Sequence, residues 1–269
     1  MSRQPLVSIL INNYNKQKYC AQALKSAINQ NYKKVEIIFF DDCSDDNSLK
    51  KIENLKKRFK NKIKIIKNHK RGNIYSFNQI NGIKKSIEKS KGKIICLMDS
   101  DDFFKRNKVK EIVNFFSKNP KQEILFDRPL IFKHSKDAEP SSDHFFYREN
   151  KWPKFPPTSC MCFEKKTLKE VLKKIEFKRF PNLGIDFRLA VYYSIILNKF
   201  YIHKSHLTYY RQVEESMDSK YVKYRSIEWW KRREEAFEFL NFVLKKNKLP
   251  INKGLDFFVT KLFNNILNI

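Results

Sequence analysis

Residues 93–104 read K-I-I-C-L-M-D-S-D-D-F-F, and the reading of this stretch decides the fold. Ile94, Ile95, Cys96, Leu97 and Met98 form an unbroken apolar run, the pattern of a strand covered on both faces in a parallel sheet. The chain then turns acidic: Asp99, Asp101 and Asp102 fall where such a strand ends. Open α/β sheets bind ligands in the crevice outside the carboxyl ends of their strands. Carboxylates crowded this closely repel one another unless a cation or solvent lies between them. The cluster therefore reads as a divalent-cation site. All-oxygen ligation suits Mg²⁺ or Mn²⁺, which hold one or two protein carboxylates plus the phosphates of a substrate. The alternative is an N-cap and acidic first turn for a helix starting near Lys105, which needs one aspartate or two.

The segments before this strand repeat the pattern. Residues 6–11 (L-V-S-I-L-I) make a first strand that runs into the turn-forming Asn12-Asn13-Tyr14-Asn15, and a helix follows over 19–29. Residues 35–40 (V-E-I-I-F-F) make a second buried strand, closing on Asp41-Asp42-Cys43-Ser44-Asp45-Asp46. A charged helix over 48–60, a short strand over 63–66, a basic glycine-tipped loop over 69–73 and a helix over 76–90 lead back to the central strand. Strands alternating with helices across short loops predict βαβ units on a doubly wound parallel sheet. Two strands ending in clustered aspartates suit a nucleotide-diphosphate pocket, one acid serving the base or ribose and the other the metal.

Composition narrows the field. The chain has 269 residues, 41 % of them hydrophobic, enough for one large domain or a domain with an appendage. Five cysteines without a C-x-x-C pair read as reduced cytosolic thiols. Residues 1–5 lack the apolar core of a signal peptide, and no apolar run approaches the roughly 18 residues of a membrane span, so the expectation is a cytoplasmic, non-integral protein. The formal net charge of +27 draws polyanions, either nucleic acid or an anionic membrane. The lysines are scattered, however, and arginines interleaved with aromatics gather only near residues 229–233. That argues against nucleic acid and for compositional drift with a membrane-facing contribution.

Four motifs in order, V-S-I-L-I-N-N-Y-N, F-F-D-D-C-S-D-D-N-S, R-G-N and K-G-K-I-I-C-L-M-D-S-D-D, resemble glycosyltransferase family 2, the inverting enzymes with the nucleotide-sugar-binding GT-A fold. The resemblance is close over residues 5 to 120 and looser to 216. It implies an α/β protein with a Rossmann-like, mostly parallel sheet flanked by helices over 1–216, and a helical appendage over 217–269. It also implies a nucleotide-diphosphate donor, a UDP-sugar, and as acceptor a hydroxyl of a cell-surface glycan or its lipid-linked precursor at the inner membrane face. Residue by residue, Asn15 falls in the donor-binding turn, with Asn12 where the family often has proline. Asp42, preceded by Asp41, matches the acid that binds the nucleobase, and Arg71, Gly72 and Asn73 match the loop beside the diphosphate. Asp99, Ser100 and Asp101 match the D-x-D motif, Asp99 toward ribose and metal and Asp101 as direct metal ligand. Asp102 either assists or caps the next helix.

Further along, residues 124–132 make one or two strands, and 135–157 a long polar loop carrying His144 and Trp152. With His134 just ahead of it, its histidines have no carboxylate or thiol at metal-ligand spacing. Residues 156–163 resemble the family's acceptor-side strand, across which Cys160 and Cys162 would alternate as small buried side chains. In P-N-L-G-I-D-F-R-L (181–189), Asp186 matches the family's catalytic base, Ile185 replacing the acid that often precedes it. On residue type alone, Asp186 reads equally as an N-cap. Residues 192–197 continue as helix, 200–203 as strand, and 207–212 resemble a closing Y-R-x-H segment in which Gln212 or Val213 stands for the histidine. Two amphipathic helices over 226–245 and 255–269 end the chain, their stripes suited to packing on the domain, to a dimer or to a membrane surface, with burial expected more of the second helix than of the first. Two rival readings remain: a sugar-phosphate nucleotidyltransferase, which the missing Gly-rich loop after the first strand opposes, and a basic polyanion- or membrane-binding protein with an inactive nucleotide pocket.

Overall fold

The computed structural model describes residues 4–132, 138–141, 154–212, 221, 223–251 and 253–267. His134, His144, Trp152 and Val213 lie outside them, as does the expected boundary at 216/217. Strands β1 (Val7–Asn13), β2 (Val35–Asp41), β3 (Ile63–Lys67) and β4 (Ile94–Asp99) form the parallel half of one curled sheet, ordered β3-β2-β1-β4. Helices α1 (Cys20–Ile28), α2 (Ser48–Arg58) and α3 (Tyr75–Lys89) connect them. The order reverses between β1 and β4, so the loops after these strands diverge and leave a crevice at their carboxyl ends. All five apolar residues of β4 are nearly inaccessible, which is why its sequence does not alternate.

Beyond β4 the sheet is mixed. β8 (Met161–Glu164) runs antiparallel to β4, and β6 (Ile124–Phe132) antiparallel to β8. β9 (Ile202–Arg211) runs parallel to β6, and the two-residue β5 (Phe103–Phe104) closes the edge against Tyr209 and Thr208. β7 (Ala138–Pro140) pairs with the end of β6. Helices α4 (Lys108–Lys118), α5 (Lys165–Lys174) and α6 (Ile185–Val191) lie between these strands, and a π-turn over Tyr192–Ile196 extends α6. Several expectations shift. The strand placed at 200–203 is the start of β9, which continues through the Y-R segment. The helix placed near Lys105 starts three residues later, after β5. Cys160 stands in a 3₁₀ turn (Thr158–Cys160) ahead of β8, so it does not alternate with Cys162 across one strand. Both are buried all the same, and Cys162 Sγ lies 3.3 Å from Cys96 Sγ on β4. All five cysteines are free thiols.

The tail helices part company. α7 (Ile227–Lys246) packs Phe239, Leu240, Val243 and Leu244 into the same apolar cluster as Leu10, Leu97 and Phe163 of the sheet and Leu189 of α6. α8 (Leu255–Ile266) buries only Thr260 and Asn264. The stripe on the first helix is thus core and that on the second is exposed, the reverse of the sequence expectation.

Candidate active site

A cleft of about 720 Å³ opens at the carboxyl ends of β1, β2 and β4. Strand register builds its floor. Asn12 pairs with Asp99 and Asn13 with Asp41, so the last residues of three neighbouring strands stand side by side. Of the expected site residues, Asn15, Asp42, Arg71, Asn73, Asp99, Ser100, Asp101 and Asp186 line this cleft.

Asp41 does not line it. Its carboxylate accepts from Asn13 Nδ2 and Ser44 Oγ, both at 2.8 Å, and from the Ser44 N–H at 3.1 Å, so it ties the two turns together. Those turns bring Asn15 into place: its φ of 49° is left-handed, a region asparagine tolerates, and its N–H donates to Ser44 Oγ at 3.0 Å. Asp42 faces the cleft, accepting from Asn68 Nδ2 at 2.7 Å and lying 3.0 Å from Arg71 Nε. The Arg71 guanidinium stacks over the Tyr14 ring at 3.6 Å. Aromatic ring, cation and carboxylate thus form one flat-walled corner. Gly72 is held from behind, its N–H donating to Asn78 Oδ1 at 3.0 Å and its carbonyl accepting from Asn78 Nδ2 at 2.7 Å, which leaves Asn73 at the cleft.

The acids after β4 separate into two roles. Asp99 and Asp101 face the cleft. Lys16 Nζ lies 2.8 Å from Asp101 Oδ2, and Gln79 Nε2 donates to Asp99 Oδ1 at 3.3 Å. Burial raises the Asp99 pKa to about 7, helped by the carboxylates of Asp101 and Asp186 and opposed by Gln79 and Lys16. Asp102 does not cap α4, whose cap is Asn107; it reaches the cleft wall too but is fastened from behind. It is 2 % exposed and accepts from Ser159 Oγ at 2.5 Å and from the Arg211 N–H at 2.8 Å. Burial, followed by the charges of Asp101 and Asp99, pushes its pKa well above the carboxylate range. Ser159 Oγ also accepts from the Asp99 N–H at 2.9 Å, so one hydroxyl fixes both ends of the D-S-D-D run. The Ser159 carbonyl in turn accepts from Lys108 Nζ at 2.7 Å. Lys108 is fully buried with Asp127 at 2.6 Å, and that carboxylate holds its pKa up despite the burial.

Asp186 lies in the first turn of α6, two residues after the cap Gly184, so it is not the N-cap; its Oδ1 accepts from the Phe187 N–H at 2.8 Å. The side chain folds back so far that a Cβ on Gly184 would meet Oδ1 at 2.5 Å, so a larger residue there would displace the carboxylate. The preceding loop is pinned by Arg188, wholly buried, whose guanidinium donates to the carbonyls of Glu176, Arg179, Phe180 and Leu183. Desolvation lowers the Arg188 pKa to about 10. Glu235 of α7 grips the same loop, accepting from Asn182 N–H at 2.8 Å and Nδ2 at 2.7 Å. Arg232 and Tyr221 carry the tail into the cleft wall, where the guanidinium lies 4.5 Å from the ring centroid.

Sequence reading missed Lys16, Ser159, Arg188 and Arg232. Arg188 did leave a signal, as a lone cation inside I-D-F-R-L-A-V. Ser159 left none, because its role depends on strands β4 and β9 meeting at one turn.

A metal or cofactor would have to fit this cleft. Among the described residues no group of three His, Cys, Asp or Glu side chains could enclose an ion. Two carboxylates on one wall nevertheless fit a Mg²⁺ or Mn²⁺ whose remaining ligands are phosphate and water oxygens. The raised pKa of Asp99 fits as well, since it marks negative charge in need of a cation. On the floor, Asn12 Oδ1 is buried with no hydrogen-bond partner among the described residues, an acceptor open to a ligand.

A switch-point crevice walled by acids from several strand ends is the GT-A arrangement of nucleotide-sugar transferases. The sequence matches the model of "Glycosyl transferase family 2" over residues 8–189, and the chain belongs to that family. An uncharacterized glycosyltransferase of Haemophilus influenzae is 26 % identical over 274 residues, covering 98 % of this chain and 97 % of its own length. Of two further curated relatives the chain spans 64 % and 35 % of the length. Among solved structures, S. aureus TarS 1-349 in complex with UDP-GlcNAc superposes with a TM-score of 0.61 at 16 % identity, over 95 % of this chain and 79 % of that one. The mannosyltransferase PcManGT from Pyrobaculum calidifontis, in complex with GDP-Man and Mn²⁺, gives 0.60 at 13 %, over 93 % and 67 %. At such identities the likeness is one of fold.

Proposed function

We propose that the protein transfers a sugar from a nucleotide-diphosphate donor, a UDP-sugar, to a hydroxyl of a cell-surface glycan or its lipid-linked precursor, with inversion at the anomeric carbon. The observation that carries this is convergence: Asp42, the pair Asp99 and Asp101, and Asp186 come from three distant segments and line one cleft. A degenerate pocket on a polyanion-binding protein would have no reason to keep all four there. In the proposed reaction the acceptor oxygen attacks the anomeric carbon from the face opposite the diphosphate, the bond to the phosphate oxygen breaks, and Asp186 takes the hydroxyl proton. Tyr14, Asp42 and Arg71 form the corner for the nucleoside. Asp99 and Asp101 would hold Mg²⁺ or Mn²⁺, which when bound supplies charge to the leaving diphosphate. Lys16 and Arg211 put further positive charge on that wall. The acceptor lies on the Asp186 side, beside Tyr221 and Arg232, and its lipid-linked form places the enzyme in the cytoplasm at the inner membrane face.

A thermal-shift screen of nucleotide sugars with Mn²⁺ tests the donor. At a concentration 100 times its dissociation constant, the right donor adds about 2.7 kcal/mol and raises the Tm by several degrees, with no comparable rise for free sugars. No shift with any nucleotide sugar would remove the donor assignment.

The raised pKa of Asp99 gives a second expectation. A carboxyl that titrates near 7 in the folded protein binds protons more tightly than in the unfolded chain. The cation-free fold therefore gains stability as pH falls from about 7 toward the unfolded value, and loses it as pH rises. A cation must displace that proton, so its affinity drops below pH 7 by up to about tenfold per unit. Calorimetric titration of Mn²⁺ with UDP at pH 6, in buffers of different ionisation heat, should detect close to one more proton released by wild type than by Asp99→Asn, the UDP phosphate contributing equally to both. No difference between the two proteins would show that the cation does not bind at Asp99.

A further inference from the structure

The transfer chemistry leaves one surface of the tail unused. α8 is turned inside out relative to an ordinary surface helix, which shows its polar stripe to water. Its buried side chains are Thr260 and Asn264, each 1 % exposed. Thr260 Oγ1 accepts from Arg233 Nε at 3.0 Å, Asn264 Nδ2 donates to Glu234, and Arg233 lies 3.3 Å from Asp256. These polar contacts, with Phe263 on Trp230 and Phe257 against Phe237, set the rotation of the helix on α7. Outward stand Leu255, Phe258, Leu262 and Ile266, between 56 % and 81 % exposed. A contiguous apolar patch of this kind marks an interaction surface.

We propose that this face of α8 docks on an anionic lipid surface, with the helix lying in the plane of the interface. Charge selects the occupant. The chain carries a net +27, and its tail exposes Lys223, Arg225, Lys231, Lys248, Lys253 and Lys261, the last on α8 beside Leu262. A second copy would bring another +27 against the first, whereas an anionic bilayer brings the opposite sign. An interfacial helix sinks its apolar face about 5–10 Å into the headgroup boundary. Among the described residues no helix is long and apolar enough to cross a membrane, which fits a helix that lies flat. Aromatic rings border the face: Phe263 stacks on Trp230 at 4.4 Å, and Tyr224, 60 % exposed, lies 4.7 Å from Trp229. Such rings settle at headgroup depth. α7 holds α8 through Arg233 while its neighbour Arg232 lines the cleft, so docking through α8 fixes how the acceptor side of the cleft faces the lipid. The proposal goes beyond the transfer reading and stands whatever the acceptor proves to be.

Co-sedimentation of the full chain with vesicles tests it. Wild type should bind equimolar phosphatidylcholine–phosphatidylglycerol vesicles at least about tenfold more strongly than the triple variant Phe258→Ser, Leu262→Ser, Ile266→Ser, and should weaken with salt. The variant should keep its cooperative melt, since all three side chains are already solvated. Equal binding by variant and wild type would overturn the proposal. So would self-association of wild type without lipid that the variant abolishes, because the face would then belong to a second copy. Should the variant fail to fold, wild type with brominated lipids decides: quenching of tryptophan emission supports docking through this face, and unquenched emission overturns it.

Discussion

Asp186→Asn lowers turnover by about 10²–10⁴-fold while leaving donor affinity nearly unchanged, the expected result if this carboxylate takes the acceptor proton. The substitution suits the site. Asparagine fills the same volume and its Oδ1 can still accept from the Phe187 N–H, so the first turn of α6 keeps its bond. The loop before it is fixed independently, by four carbonyls on Arg188 and by Asn182 on Glu235. What asparagine lacks is basicity. Steady-state kinetics on an identified acceptor, set beside nucleotide binding by calorimetry, makes the measurement: kcat falls and the nucleotide Kd stays. Near-wild-type turnover would reduce Asp186 to a first-turn acceptor for a helix N–H.

Asp101→Asn should weaken metal-dependent binding of the nucleoside diphosphate by about 10²-fold or more, since it leaves one carboxylate where two would share the ion. The weak binding that survives chelation should be unaffected. Stability should hardly change, because the Asp101 carboxylate is partly exposed and, among the described residues, ion-paired with Lys16 alone, while the structural fastening belongs to Asp102. Titrating UDP with Mn²⁺ and then with EDTA, on wild type and variant, gives four affinities. If the variant matches wild type in both conditions, Asp101 is not a metal ligand.

The parallel half of the fold was legible because its physics is local. A strand covered on both faces is apolar almost throughout, and residues 6–11, 35–40 and 94–98 announce themselves so apart from the hydrogen-bonded Ser8 and Glu36, each followed by its acids or asparagines. The second half was less legible because its strands borrow stability from pairing. β5 has two residues and exists only against Tyr209 and Thr208. β6 accommodates Pro129 only where its register with β9 slips. In the site, residue type and order located Asp42, Asp99, Asp101 and Asp186 but could not sort neighbours by direction. Asp41 and Asp102 are the same residue type one position from Asp42 and Asp101, yet their carboxyls are taken up in hydrogen-bond networks. Which aspartate of a pair turns inward depends on Ser44, Asn13 and Ser159, and that is tertiary information. The tail misled for a related reason: its apolar stripes were visible in sequence, but whether a stripe meets the core depends on what the opposite stripe bonds, and on α8 the polar stripe found Arg233 and Glu234.

The fastening of Asp102 also sets an order in time. Its carboxylate is held by the Arg211 N–H across a separation of 109 residues, and by Ser159 Oγ across 57. A chain leaving the ribosome can complete β1 to β4 early, but the Asp102 carboxyl gains its Arg211 partner only once β9 has emerged. A chain ending before residue 211 lacks the N–H that Asp102 accepts from. The fastening of the D-S-D-D run is thus complete only with the last strand of the sheet, although the Tyr14, Asp42 and Arg71 corner is made wholly from the first half of the chain.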